Sequence, residues 1–193
     1  MKKTSILTVL VFTSAALAAY AHGGATGIVK ERMDAMSDMG EAVKAITPMM
    51  RGETEFDAAV VRSAAKTIGN HAGAKLTELF PEGSGGAPSE TKDSVWTNWN
   101  EFTEMADRLE VYADGLGRAA DNGMMASGQN GMSSSAMMGG SSMMGSGTTM
   151  MGGGMMGAAM TADDIAGMPV DGAFAMVSQV CSACHTKFRA ESK

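Results

Sequence analysis

The chain has little with which to cage a metal ion. It holds two cysteines and three histidines in 193 residues. Structural zinc usually takes four ligands; Cys181, Cys184 and His185 make three, leaving only His71 and His22 to complete a set. Positive charge is also short: 15 basic against 21 acidic residues give a formal −6, which argues against nucleic acid and for basic protein partners. Past the first twenty or so residues no apolar run approaches bilayer length, so no membrane span is expected. No Ser, Asp, Glu or His constellation has a spacing that implies nucleophilic or acid–base work, so the sequence does not read as an enzyme.

What is present is concentrated in one pentapeptide, Cys181-Ser182-Ala183-Cys184-His185, which contains both cysteines. Cys-x-x-Cys-His is the attachment pattern of a c-type haem. Two thiols that add across the two vinyl groups of one porphyrin must lie within its width. Residues three apart on a helix share a face, and the next residue's imidazole can reach the iron from the proximal side. Two other chemistries use similar residues. A zinc site lacks its fourth ligand, and a thioredoxin-like pair needs a βαβ context, whereas the surroundings read as helical.

The N-terminus reads as an export signal. Lys2 and Lys3 form a positive n-region, Ile6 to Leu17 an apolar h-region, and Ala19-Tyr20-Ala21 a small-x-small cleavage site, with Ala16-Leu17-Ala18 as a second choice. This predicts a signal peptide over 1–21 and a periplasmic protein over 22–193. Removing Lys2 and Lys3 leaves 13 basic against 21 acidic residues, a formal −8. If cleavage follows Ala21, the free amine and imidazole of His22 form a further candidate metal chelate. Export and haem attachment agree, because bacterial c-type haem is attached outside the inner membrane.

Four stretches carry helical periodicity. In the first, about Thr26 to Met50, Ile28, Arg32, Met36, Met39, Val43, Ile46 and Met50 form a stripe, and Pro48 predicts an end or kink. Arg32 is the odd member: it must snorkel out or meet a buried anion, a haem propionate being one available. The second opens at Thr54-Glu55-Phe56-Asp57, which resembles a capping box. It keeps period through Val61, Ala64, Ile68, Ala72, Leu76 and Leu79 to Phe80-Pro81, with a connector over 82–89. The third starts near Asp93 or Ser94 and carries Val95, Trp99, Phe102, Ala106, Leu109, Ala113 and Leu116; Trp96 and Trp99 are expected to pack the core or the haem edge. The fourth, about Val170 to Ala190, carries Val170, Phe174, Val177, Cys181, Cys184 and Phe188, so both thiols face the core. The predicted fold is all-α, an antiparallel up-down four-helix bundle.

With these features the chain resembles the class II c-type cytochromes, the cytochrome c-prime family, over about 26–120 and 165–193. The resemblance rests on a haem motif close to the C-terminus, on its extension as Cys181-x-x-Cys184-His185-x-x-Phe188-Arg189, and on Arg32, Met36, Met39 and Gly40 in the first helix. It implies one covalent haem c anchored by Cys181 and Cys184 and ligated by His185. It also implies Arg189 near the proximal face, Arg32 toward the propionates and Met36 facing the iron. The family commonly dimerises through its first two helices, which Met33 and Ala42 permit. Met36 decides the subtype. A thioether on iron raises the potential and closes the gas site, making a one-electron shuttle between redox partner proteins; an unbound Met36 leaves iron five-coordinate for nitric oxide or carbon monoxide. Met33 and Met39 flank Met36 at three residues either side, and Met36 as a flexible core filler is the remaining alternative.

Residues 121–160 depart from the family. They hold twelve of the chain's 21 methionines, including five Met-Met pairs, among Gly, Ser, Ala and Thr, with almost no charge after Asp121. The irregular spacing makes this a low-complexity insertion between the third and fourth helices, expected to be disordered. Thioether sulfur suits Cu(I), which makes copper a candidate second cofactor and a copper-binding protein an alternative function. A solvated linker open to methionine oxidation is the other reading.

Overall fold

The computed structural model describes residues 24–125 and 160–190. The expected signal peptide, His22, and Met132 through Met156 of the Met-rich stretch lie outside the described residues, so export, copper and the disorder of the insertion are expectations from sequence alone.

Helix α1 spans Gly27–Met50. Pro48 falls in its last turn and the helix continues two residues beyond it. There Arg51 N–H donates to Thr47 O and Glu53 N–H to Pro48 O, and Gly52 at φ +69° turns the chain. The buried face is Arg32, Ala35, Met39, Ala42 and Ile46. The stripe is thus rotated from the one read in the sequence: the alanines are sealed, while Met36, Val43 and Met50 are half-buried against the core's edge.

Helix α2, Ala58–Asn70, begins one turn later than the capping box implied. Asp57 is itself the N-cap, its Oδ1 accepting from the N–H groups of Ala59 at 2.7 Å and Val60 at 3.2 Å. The segment expected as one helix to Phe80 is broken at His71–Gly73. Gly73 holds φ +60° against Glu110 of a neighbouring helix, and its N–H donates to Ala106 O at 3.0 Å. A short α3, Ala74–Thr77, follows. The third expected helix is likewise two: α4, Ser94–Thr97, and α5, Trp99–Ala119, with Asn98 out of helical geometry between them. A 3-10 turn, Ala120–Asn122, closes α5. A five-residue α6, Ala162–Ala166, was not expected. Its start is a capping box in which Thr161 Oγ1 accepts from Asp164 N–H, and the Asp164 carboxylate accepts from Thr161 N–H. The last helix, α7, spans Val170–Phe188.

The long helices α1, α2, α5 and α7 make the expected four-helix bundle. Helix α5 is its centre, packed on α2, α6 and α7; α1 leans on α2 and meets α7 only marginally. Val61, Ile68, Phe102, Leu116, Val170 and Val177 are nearly or fully sealed inside. Of the two tryptophans, Trp96 packs on the core, while Trp99, at 37% exposure, sets its ring 5.6 Å from that of Phe102. The two ends of the inserted stretch are tied together: Val170 N–H donates to Gly123 O, Met125 N–H to Asp171 Oδ1, and Asn122 Nδ2 to Ala166 O and Met168 O. No strand occurs among the described residues; one isolated bridge pairs Thr91 with Arg189.

Candidate functional site

Helix α7 is anchored by its apolar face, with Val170, Ala173, Val177, Val180 and Phe188 buried. Pro169 at its N-cap carries a φ near −55°, and Lys187 sits in the last turn, where a cation suits the helix dipole. Cys181 and Cys184 lie one turn apart at the edge of this face. Both are free, half-buried and packed against the core cluster. Burial raises the Cys181 thiol above its ordinary range. Burial, and then the neighbouring Cys181, pushes Cys184 up to about 11. Burial thus holds both thiols toward the neutral form when nothing is bound to them.

His185 points from the exposed side of the helix. Partial desolvation, and then the Arg189 charge, lowers its pKa, which favours the neutral imidazole that can ligate a metal. Arg189 pairs with Glu90 at 2.7 Å and its N–H donates to His185 O at 3.0 Å, so it lies beside His185 at the helix end.

Among the described residues no three His, Cys, Asp or Glu side chains converge as a bare metal ion would require. His71 lies against Asp38, its Nε2 3.3 Å from the carboxylate. The described surroundings of the motif are helical, without the βαβ frame of a redox dithiol. The donor set does fit a macrocycle. Two thiols one turn apart, bordering an apolar core, with an imidazole after the second, are the donors that would hold a covalently attached haem and ligate its iron.

Helix α1 places Met33, Met36 and Met39 differently. Met39 is sealed at 7% exposure, Met36 is half-buried and packs on the core, and Met33 is half-buried away from it. Arg32, one turn before Met36, is 4% exposed. Its guanidinium is directed into the 79–91 loop: Nε and Nη2 donate to Leu79 O at 2.9 and 2.8 Å, Nη1 to Ser84 O, Ser89 Oγ and Thr91 Oγ1 at 3.2, 3.0 and 2.9 Å, and Nη2 to Ser84 Oγ at 2.5 Å. Burial lowers its pKa, yet an arginine stays charged. The loop contact was not legible beforehand, because its acceptors are mostly backbone carbonyls and hydroxyls some fifty residues away. Trp96 belongs to the same corner: its Nε1 donates to Phe80 O at 3.0 Å.

A helical bundle bearing a Cys-x-x-Cys-His turn at the edge of its core defines a c-type cytochrome of the bundle class. The chain belongs to the cytochrome c' family, the class II c-type cytochromes: the family model described as Cytochrome C' matches residues 27–137. That match stops short of the Cys181–His185 motif, so the motif and the family match are separate observations. The chain is similar to cytochrome c-556 of Agrobacterium fabrum, 34% identical over 92 residues covering 48% of this chain and 62% of the relative. It is also similar to cytochrome c' of Rhodopseudomonas palustris, 32% identical over 89 residues covering 46% and 60%. It thus spans about three-fifths of these relatives' length.

Among solved structures, cytochrome c' from Thermochromatium tepidum superposes with a TM-score of 0.56 at 22% identity, covering 85% of this chain and 95% of that one. A nitric oxide complex of a cytochrome c prime mutant from Alcaligenes xylosoxidans gives 0.54 at 18%, covering 85% and 94%. At these identities the likeness is one of fold. The family's cofactor is covalently attached haem c. No helix among the described residues is long and apolar enough to cross a membrane.

Proposed function

We propose that this protein is a periplasmic one-electron carrier, not an enzyme, in which Cys181 and Cys184 hold haem c as thioethers, His185 is the proximal ligand and Met36 the distal one. Haem supplies a metal centre that gains or loses one electron without rearranging the fold. The chain's part is to fix two axial ligands on different helices, to shield them with apolar side chains, and to set the potential through ligand identity. The observation that carries the reading is the burial pattern of α1. A distal ligand must border the core and still be able to reach out of it. Met39 is enclosed and Met33 does not pack on the core, whereas Met36 does both. The acidic chain favours basic redox partners.

The test is Met36→Ala in the purified holoprotein. The expected result is loss of a low-spin ferrous spectrum and gain of carbon monoxide binding; an unchanged spectrum removes Met36 as ligand. A second reading is an open iron that binds nitric oxide or carbon monoxide. It draws on the half-buried, flexible thioether of Met36, which can swing aside, and on the solved relatives named as nitric oxide or carbon monoxide complexes. A homodimer through α1 and α2 belongs to either reading. A monomer in sedimentation equilibrium would remove it.

A further inference from the structure

Helices α1 and α7 carry the two candidate axial ligands but scarcely touch. Besides the packing that runs through α2 and α5, the segment 79–92 joins them. On one side it closes over Arg32, which sits one helical turn before Met36. Leu79 O, Ser84 O and the hydroxyls of Ser84, Ser89 and Thr91 accept from the guanidinium, and the Phe80 ring lies 4.1 Å from its centre. None of these acceptors is charged.

On its other side the same segment is bound to the last turn of α7, the turn that follows His185. Lys92 N–H donates to Phe188 O at 2.9 Å and Ala190 N–H to Glu90 O at 2.7 Å. Thr91 bridges Arg189, Glu90 pairs with Arg189 at 2.7 Å, and Lys92 Nζ and Ser94 Oγ donate to Thr186 O and Lys187 O, each at 3.0 Å.

We infer that Arg32 is a positioning residue: by clasping the 79–92 segment it fixes the α1 turn bearing Met36 relative to the α7 turn bearing His185, and so sets whether a ligand from α1 stays on the haem iron. This deepens the haem reading above and rests on it. The side chain suits the task. A guanidinium has five donors in a planar fork, enough to gather carbonyls and hydroxyls from both ends of a loop, whereas an ammonium has three and no fixed plane. The acceptors it gathers run from Leu79 to Thr91, so one side chain holds both ends of the loop.

Two holoprotein variants test this. Arg32→Met removes the cation. The double variant Ser89→Ala, Thr91→Val keeps Arg32 and removes two of its loop acceptors. Hydrogen exchange is read at the Lys92 and Ala190 amides, which the segment protects, and carbon monoxide association is read optically. In both variants exchange at these amides is expected to quicken about tenfold or more, the effect of losing one hydrogen bond to a charged group, and carbon monoxide association is expected to quicken. The inference is overturned if Arg32→Met changes carbon monoxide association while the double variant does not, because Arg32 would then act directly on the haem surroundings. It is equally overturned if exchange at Lys92 and Ala190 is unchanged in both. A five-coordinate wild-type spectrum would refute Met36 ligation, whereas exchange at Lys92 and Ala190 tests the clasp whatever the iron's ligands, so the two failures are distinguishable.

Discussion

Phe102, beside the Glu101–Lys187 ion pair, is a residue through which α5 holds the end of α7. It is 1% exposed. Its ring meets Phe80 edge-on at 4.8 Å, Phe188 edge-on at 5.4 Å and Trp99 at 5.6 Å. Truncating a sealed Phe to Ala costs about 3–5 kcal/mol through lost transfer energy and the cavity left behind. Aromatic pairs add about 0.5–1.5 kcal/mol each beyond burial; two of the three partners here are themselves buried, so Phe102→Ala is expected near the top of that range. Phe102→Leu keeps most of the volume and loses the ring geometry, for about 1–2 kcal/mol. The assay is urea unfolding of the holoprotein followed by helical circular dichroism. Phe102→Ala falling within experimental error of Phe102→Leu would refute the claim that this ring cluster secures the helix bearing the haem motif.

Three other outcomes follow from particular contacts. Gly115→Ala places a methyl 2.5 Å from Ile165 Cβ and 3.0 Å from Ala162 O; overpacking of this kind costs about 1–3 kcal/mol, and proteolysis within 160–168 should quicken as α6 is displaced. Asp57→Ala removes the cap of α2 and should lower stability by about 1 kcal/mol in urea, whereas Thr54→Ala should leave it unchanged. In the haem-free chain, alkylation of Cys184 should be slow at pH 8 and accelerate until the pH passes about 11, because only thiolate reacts. A rate already at its plateau by pH 9 would contradict a buried thiol.

The helix that carries the pentapeptide was more legible than the frame around it. The pentapeptide at 181–185 is local chemistry at fixed spacing, so reading it needs no tertiary knowledge, and α7 indeed turns both thiols toward the core's edge. The buried members of α2 and α5 were also readable, since Val61, Ile68, Phe102 and Leu116 keep helical period and are sealed. Three features escaped because they are set by contacts distant in sequence. The break at Gly73 answers to Glu110 and Ala106 on α5. The rotation of α1 follows from Arg32 being drawn inward by loop acceptors, which seals Ala35 and Ala42 and leaves Met36 at the rim. Trp99 lies on the predicted stripe, but the break at Asn98 frees the first turn of α5 toward solvent. One miss did have a local signal: Thr161-Ala162-Asp163-Asp164 before Ile165 is a capping box, hidden at the end of a low-complexity stretch.

The optical spectrum of the purified holoprotein, ferric and ferrous, with and without carbon monoxide, tests the central claim most directly. The account predicts a sharp, split ferrous spectrum, a thioether-to-iron band in the ferric form and no ready gas binding. A broad high-spin spectrum that shifts at once on adding carbon monoxide would contradict it and would make the open-iron reading the function of this protein.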